Sequence, residues 1–299
     1  MKTKIIITAI CLGSLLIGLL LVNKSENKTN EVVVSNKNKS QYLVLLDLSD
    51  RITKPGQIAS DKEMIENVYA EFEKTVYKHL AMNSKDRFQV CIAPQKNLGF
   101  DKDIESDKLT LDLAQNKPAE KLKRLKDFGV QLKSRLDSLY CKADKGVDPK
   151  KYEGSNIWQF FNEMLADMTN DKTETKLVVI TDGYFDFEKG NPEIKKGNLA
   201  TTTAFISKIG RMQDWKSVIA KEGYGILPLN RKFENLAVCV AEIRSKNDNN
   251  LNETEILNFV WTSWLEKNSI DKAHYTTISH GPLTNSQLKL TSFLNSKLM

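Results

Sequence analysis

Tyr42-Leu-Val-Leu-Leu-Asp47-Leu-Ser49-Asp50-Arg51 and Lys176-Leu-Val-Val-Ile-Thr181-Asp182-Gly183 decide the reading of this chain. Each is a short apolar run that ends in a carboxylate with a second polar residue close by. Runs of this length, bounded by polar turns, predict strands buried on both faces, as in a parallel sheet. Ligands of such sheets sit outside the carboxyl ends of the strands, so Asp47 and Asp182 are expected to converge on one edge. Two carboxylates meeting there require a cation, a shared proton or a network of donors.

Working outward, a loop with Pro55-Gly56 leads to Ser60-Asp-Lys-Glu63, which has the form of a capping box. Met64, Ile65, Val68, Phe72 and Val76 then recur at helical spacing, predicting an amphipathic helix laid on the sheet. Residues 87–93 read as a second strand and 108–113 as a half-exposed edge strand. Leu122, Leu125, Phe128, Leu132, Leu136 and Leu139 form another helical stripe. Gly154-Ser155-Asn156 opens a helix with Ile157, Trp158, Phe161, Met164, Leu165 and Met168 inward. After the strand at 177–181, a Gly-punctuated segment holds a helical stretch at 204–221. A buried strand at 236–243, a helix at 253–267 and a short strand at 275–278 complete the pattern. Strands alternating with helices predict one α/β domain over residues 41–285, a doubly wound, mostly parallel sheet with helices on both faces. A helical insert falls at about 100–150, and residues 286–299 read as a tail or helix.

The 299 residues are 40% hydrophobic and 27% charged, an ordinary globular composition, and the net charge of +6 is spread over interleaved Lys and Glu. This charge makes no case for nucleic acid, and the basic run at 121–126 reads as the solvated face of its helix. Lys2 and Lys4 precede Ile5 to Val22, apolar apart from Thr8 and Ser14. Eighteen such residues approach the roughly 20 that span a bilayer. Residues 1–22 therefore predict a signal anchor or transmembrane helix, and the polar residues 23–40 a tether. A cleaved secretory signal would lead to the same side of the membrane. Ile10 stands where lipidation of Cys11 would want a small residue. Cys91 and Cys239 lie in strand-like runs and read as buried free thiols; no Cys/His spacing suggests zinc or redox chemistry.

The order of signals resembles the von Willebrand factor A-type domain, over roughly residues 41–285. That family builds a metal-ion-dependent adhesion site from Asp-x-Ser-x-Ser after the first strand, a Ser or Thr in a later loop, and an Asp, often in Thr-Asp-Gly, after the fourth strand. Asp47 and Ser49 match the first element, Ser155 in Gly-Ser-Asn-Ile the second, and Asp182 the third. The resemblance implies that Asp47, Ser49, Ser155 and Asp182 hold Mg²⁺ or Mn²⁺, hard cations that prefer oxygen ligands and keep several waters. Asp50, Arg51, Asn156 and Asp186 stand beside them and would modulate the site.

Arg51 departs from the pattern, standing where the family has its second Ser. A guanidinium cannot ligate a metal. Either it swings outward, leaving Asp50 or a water to complete the shell, or it folds in and replaces the cation by pairing with Asp47 and Asp182. Plainer readings are that Ser155 is only a helix N-cap, Asp182-Gly183 only a turn, and Asp186 a hairpin residue. Trp158, Trp261 and Trp264 read as core.

The resemblance implies a non-enzymatic module, tethered on the outer side of a bacterial cytoplasmic membrane, that recognises a protein partner through this edge; no small-molecule substrate is expected. The alternatives are a structural subunit of an envelope complex, with Arg51 in place of the cation and residues 119–141 as docking surface, and a Mg²⁺-dependent phosphohydrolase of the haloacid dehalogenase type. The latter needs Asp-x-Asp, and the second position here is Ser49.

Overall fold

The computed structural model describes residues 39–144, 153–186, 192–247 and 250–297. The expected anchor at 1–22 and all of the tether before residue 39 lie outside the described residues. Among those described, no helix is long and apolar enough to cross a membrane.

Six strands form one sheet: β1 (Lys39–Leu46), β2 (Arg87–Ile92), β3 (Thr110–Asp112), β4 (Thr173–Ile180), β8 (Leu236–Ile243) and β9 (Tyr275–Ser279). Their order is β3-β2-β1-β4-β8-β9, and every pairing is parallel except β2 with β3. The mostly parallel α/β architecture expected from the apolar runs is what the chain adopts. A second sheet of two-residue strands, β5 (Lys195–Lys196), β6 (Leu199–Ala200) and β7 (Gly225–Ile226), occupies the Gly-punctuated segment. No hydrophobic periodicity marks strands that short.

Alternation along each strand divides the interior in two. Tyr42, Val44 and Leu46 of β1, Val178 and Ile180 of β4 face the layer built by α1 (Gln57–Lys78), α3 (Pro118–Asp144) and α8 (Leu283–Asn295). Leu43, Leu45, Leu177 and Val179 face the other layer, with the helix from Ile157 to Met168, called α4 here, then α5 (Ile206–Ile209), α6 (Trp215–Glu222) and α7 (Leu251–Lys267). Leu43 and Leu45 are wholly buried, each contributing about 1.5–3 kcal/mol in removed apolar surface. Trp158, Trp261 and Trp264 are buried in the second layer, as their spacing implies. Leu290, Phe293 and Leu294 of α8 belong to the first core, so the stretch after 285 is an integral helix of the domain. Helix α2 (Lys102–Lys108) precedes the edge strand β3.

Two expectations need correction. Helix α1 begins at Gln57, a turn before the presumed capping box, because Gly56 takes a left-handed φ of 81° and turns the chain directly into the helix. Ser60 is thus inside the first turn. Leu122 is 38% exposed, while the other five leucine and phenylalanine positions of its stripe are buried.

Candidate functional site at the carboxyl end of the sheet

From β1 the chain crosses outward to β2, and the neighbour of β1 on its other side is β4. The carboxyl ends of β1 and β4 are therefore the topological switch point of the sheet, where open α/β folds leave a crevice. Leu46 pairs with Ile180, and the Asp47 N–H donates to the Ile180 carbonyl at 3.1 Å, so Asp47 and the Thr181-Asp182 pair leave the sheet side by side.

Asp47 is buried and its carboxylate accepts three hydrogen bonds. Its Oδ1 accepts the Ser49 N–H at 2.9 Å and the Ser155 hydroxyl at 2.6 Å; its Oδ2 accepts the Thr181 hydroxyl at 2.7 Å. The structure thus joins Asp47, Ser49 and Ser155 directly and adds Thr181, which stood in the quoted run without being singled out. Ser155 is not the helix cap: Asn156 is, its Oδ1 accepting the Gln159 N–H at 2.9 Å. That division of labour leaves the Ser155 hydroxyl for Asp47. The loop that carries them is fixed by the Asn156 N–H on the Pro94 carbonyl at 2.6 Å and the Asp186 N–H on the Ser155 carbonyl at 3.1 Å. Asp186 comes so close that a β-carbon on Gly154 would lie 2.9 Å from its Cα, so glycine is required there. Asp186 thereby shapes the Ser155 loop.

Asp182 is buried beside Asp47 and accepts the Tyr184 N–H at 3.3 Å. Burial first, then the neighbouring Asp47 charge, push its carboxyl up to about 7; Lys246 and Arg51 pull the other way. Gly183 follows at φ 100°, donates its N–H to the Thr181 hydroxyl, and offers its carbonyl to the Trp261 indole at 2.9 Å. Asp182-Gly183 is a turn, but one locked into the core.

Arg51 corrects both expectations made for it. It is buried, 1% exposed, yet its guanidinium does not reach the Asp47 or Asp182 carboxylates. Nη1 donates to the Asp47 backbone carbonyl at 3.0 Å, and Nη1 and Nη2 clasp Asp61 of α1 at 2.8 Å each. Asp61 also accepts from Gln57 at 2.9 Å and the Tyr140 hydroxyl at 2.8 Å. Burial opposes the Arg51 charge, but Asp61 more than offsets this and holds the guanidinium above its ordinary value. The early start of α1 is the physical reason, since it presents Asp61 one turn inside a helix packed against the β1 loop.

Behind this pair lies Glu242, which accepts from Gln57 at 3.0 Å and bonds His280 Nδ1 at 2.6 Å. It sits at φ 72°, where the β8–β9 register shifts between Ala241 and Ile243. The bulge turns its carboxylate toward the Arg51 network. Burial opposes its charge, but the bonds from His280 and Gln57 keep its carboxyl below the usual range. Asp50 remains at the rim, paired with Lys246 Nζ at 2.9 and 3.1 Å. Gln57, Asp61, Tyr140, Glu242 and His280 escaped the sequence reading because they are scattered from the start of α1 to the loop after β9. Asp61 was hidden inside a segment read as a cap.

Among the described residues, no three of His, Cys, Asp and Glu group as metal ligands. The switch-point set is of another kind, two carboxylates with hydroxyls. A hydroxyl that donates its proton to Asp47 keeps its lone pairs, so Ser155 can face a cation while bonded to Asp47. The Arg51 charge is engaged by Asp61. An all-oxygen hard cation therefore fits the donor chemistry here.

No family model matches the chain, and no curated protein matches its sequence. Among solved structures, the chain is similar to proximal thread matrix protein 1 from the mussel byssus, at 11% identity and a TM-score of 0.38, over 87% of this chain and 48% of that one. It is also similar to the pilus adhesin SpaC from Lactobacillus rhamnosus GG, at 10% identity and a TM-score of 0.39, over 87% of this chain and 30% of that one. The chain thus spans less than half the length of either, and likenesses this distant carry no argument about function.

Proposed function

We propose that this chain is a non-enzymatic binding module of the von Willebrand factor A type, which recognises a protein partner at the carboxyl edge of its sheet through a divalent cation. The observation that carries the reading is the buried Asp47–Asp182 pair at the switch point, whose second carboxyl is raised to about 7 by burial and by the neighbouring Asp47 charge. Asp47, Asp182, Ser49 and Ser155 would hold Mg²⁺ or Mn²⁺, which would supply the missing charge and an open position for a partner's oxygen ligand. Thr181 and Asn156 orient this set, the first by its bond to Asp47 and the second by capping the helix that follows Ser155. A hydroxyl instead of a carboxyl at Ser49 leaves no acid two residues from Asp47, which favours binding over phosphoryl transfer. The N-terminal apolar segment supports a membrane-tethered module on the outer face of a bacterial cytoplasmic membrane.

Thermal unfolding with Mg²⁺ or Mn²⁺, then with chelator, tests the reading. A cation at 100 times its Kd stabilises the folded state by about 2.7 kcal/mol. The rise in Tm is expected in the wild type and absent in Asp47→Ala. A wild type indifferent to both cations and chelator would sink the cation-mediated reading. Partner binding unaffected by chelator would turn attention to a docking surface at 119–141.

A further inference from the structure

At the opposite end of the sheet the chain exposes apolar side chains. Beyond α1 it returns toward β2 through tight turns: the Leu80 N–H donates to Tyr77 O at 3.2 Å, Asn83 to Leu80 O at 2.7 Å and Ser84 to Ala81 O at 3.4 Å. Tyr77, Leu80 and Met82 are 47%, 69% and 56% exposed. Leu80 stands at φ 56°, in the left-handed region where Gly or Asn is the ordinary choice. A leucine both strained and exposed does nothing for folding; glycine or asparagine would serve the turn better.

The turn itself carries exposed basic residues. Lys78 and Lys85 flank it and are exposed, and Lys39 lies at the same pole, 3.7 Å from Asp112. The acidic residue of the segment, Asp86, is buried and accepts from the Ser40 N–H at 2.8 Å and the Ser84 hydroxyl at 2.7 Å, with His79 Nδ1 at 2.9 Å. The Ser40 bond places the start of β1, where the preceding residues join the domain, against this turn. Those residues include the apolar run from Ile5 to Val22.

We propose that the turn from Tyr77 to Lys85 is a contact for an anionic lipid surface. Leu80 and Met82 enter the headgroup boundary, Tyr77 lies at its level, and Lys78 and Lys85 meet the lipid charges. An apolar tip rimmed by cations suits a bilayer interface, where apolar burial and anionic attraction add. Seated there, the domain presents the switch-point edge away from the membrane.

The test uses the full chain in zwitterionic and in anionic vesicles. A polarity-sensitive fluorophore is attached at Met82→Cys, with Cys11→Ser and Cys141→Ser removing competing thiols. Ile194→Cys, at an exposed site beside β5, is the comparator. In anionic vesicles the label at 82 is expected to shift to the blue and to be quenched by lipid-borne nitroxides, while that at 194 stays in water. Lys78→Gln and Lys85→Gln should each lower surface occupancy roughly fivefold. Leu80→Asn should keep or raise Tm yet lose the quenching, which separates lipid contact from folding. A label at 82 that reports water in both vesicle types, or becomes shielded only when soluble protein is added, overturns the proposal.

Discussion

Asp61 and Asp182 are both buried carboxylates near the carboxyl end of the sheet, but Asp61 accepts four hydrogen bonds, two of them from Arg51, while Asp182 accepts one from the Tyr184 backbone. The difference lies in what each loop could bring. Arg51 leaves β1 toward α1 and meets a helix that offers a carboxylate, so positive and negative charge are buried together. Asp182 leaves β4 toward Asp47, which offers more negative charge. A charge buried with its partner is a structural element, and a charge buried against its like is a place that takes up a proton or a cation.

Breaking the compensated pair should have the largest effect. Asp61→Asn leaves the Arg51 charge buried without its partner and is expected to cost about 3–5 kcal/mol, read from urea unfolding. Arg51→Met combined with Asp61→Leu should recover most of that loss, whereas either change alone should not. Full loss in the double variant would show that the pair does more than neutralise itself.

The uncompensated pair predicts the opposite sign. The Asp182 carboxyl is raised in the folded state, so the folded chain holds a proton that the unfolded chain releases. Stability should therefore fall as pH rises from about 4 to about 7 and level off above, an effect of up to about 4 kcal/mol. Asp182→Asn should remove this slope and be more stable than the wild type at pH 8 in chelator. Mg²⁺ should raise the wild-type Tm more at pH 8 than at pH 5, where the proton competes for the same oxygen. A flat pH profile in chelator would remove the distinction between the two carboxylates.

Smaller changes sharpen how each loop is held. Gly183→Ala forces a side chain to φ 100° with its β-carbon 3.2 Å from Ile243, and about 2 kcal/mol is expected from thermal unfolding. Asn156→Ala removes the N-cap of α4 and should cost about 1 kcal/mol. Because Ser155 bonds Asp47 directly while Asn156 only caps the helix that follows, the cation response should weaken in Asn156→Ala and fail in Ser155→Ala.

The sheet was legible because its strands are apolar runs whose ends are marked by polar residues; β8 was read from Leu236 to Ile243, its observed bounds. Asp47 and Asp182 were legible for a related reason, since strand ends are local signals and the parallel sheet brings them to one edge; Ser49 and Ser155 were singled out only by the resemblance to the A-type domain. The start of α1 was misread because Gly56 and the turn before it outweighed the capping pattern at Ser60. Short strands such as β5 to β7, at two residues each, carry no period to read.

What the amino-acid sequence determined by itself is the set of buried strands, the helices on both faces of the sheet and the convergence of Asp47 with Asp182, because these follow from continuous apolar runs, helical spacing and polar strand ends. What only the tertiary structure decided is where the charges go. Arg51 chose Asp61 over Asp47, Asn156 took the cap and released Ser155, and a bulge turned Glu242 inward. Each outcome depends on which groups several distant segments place within about 3 Å of one another, the range in which hydrogen bonds form. No local pattern along the chain encodes that distance.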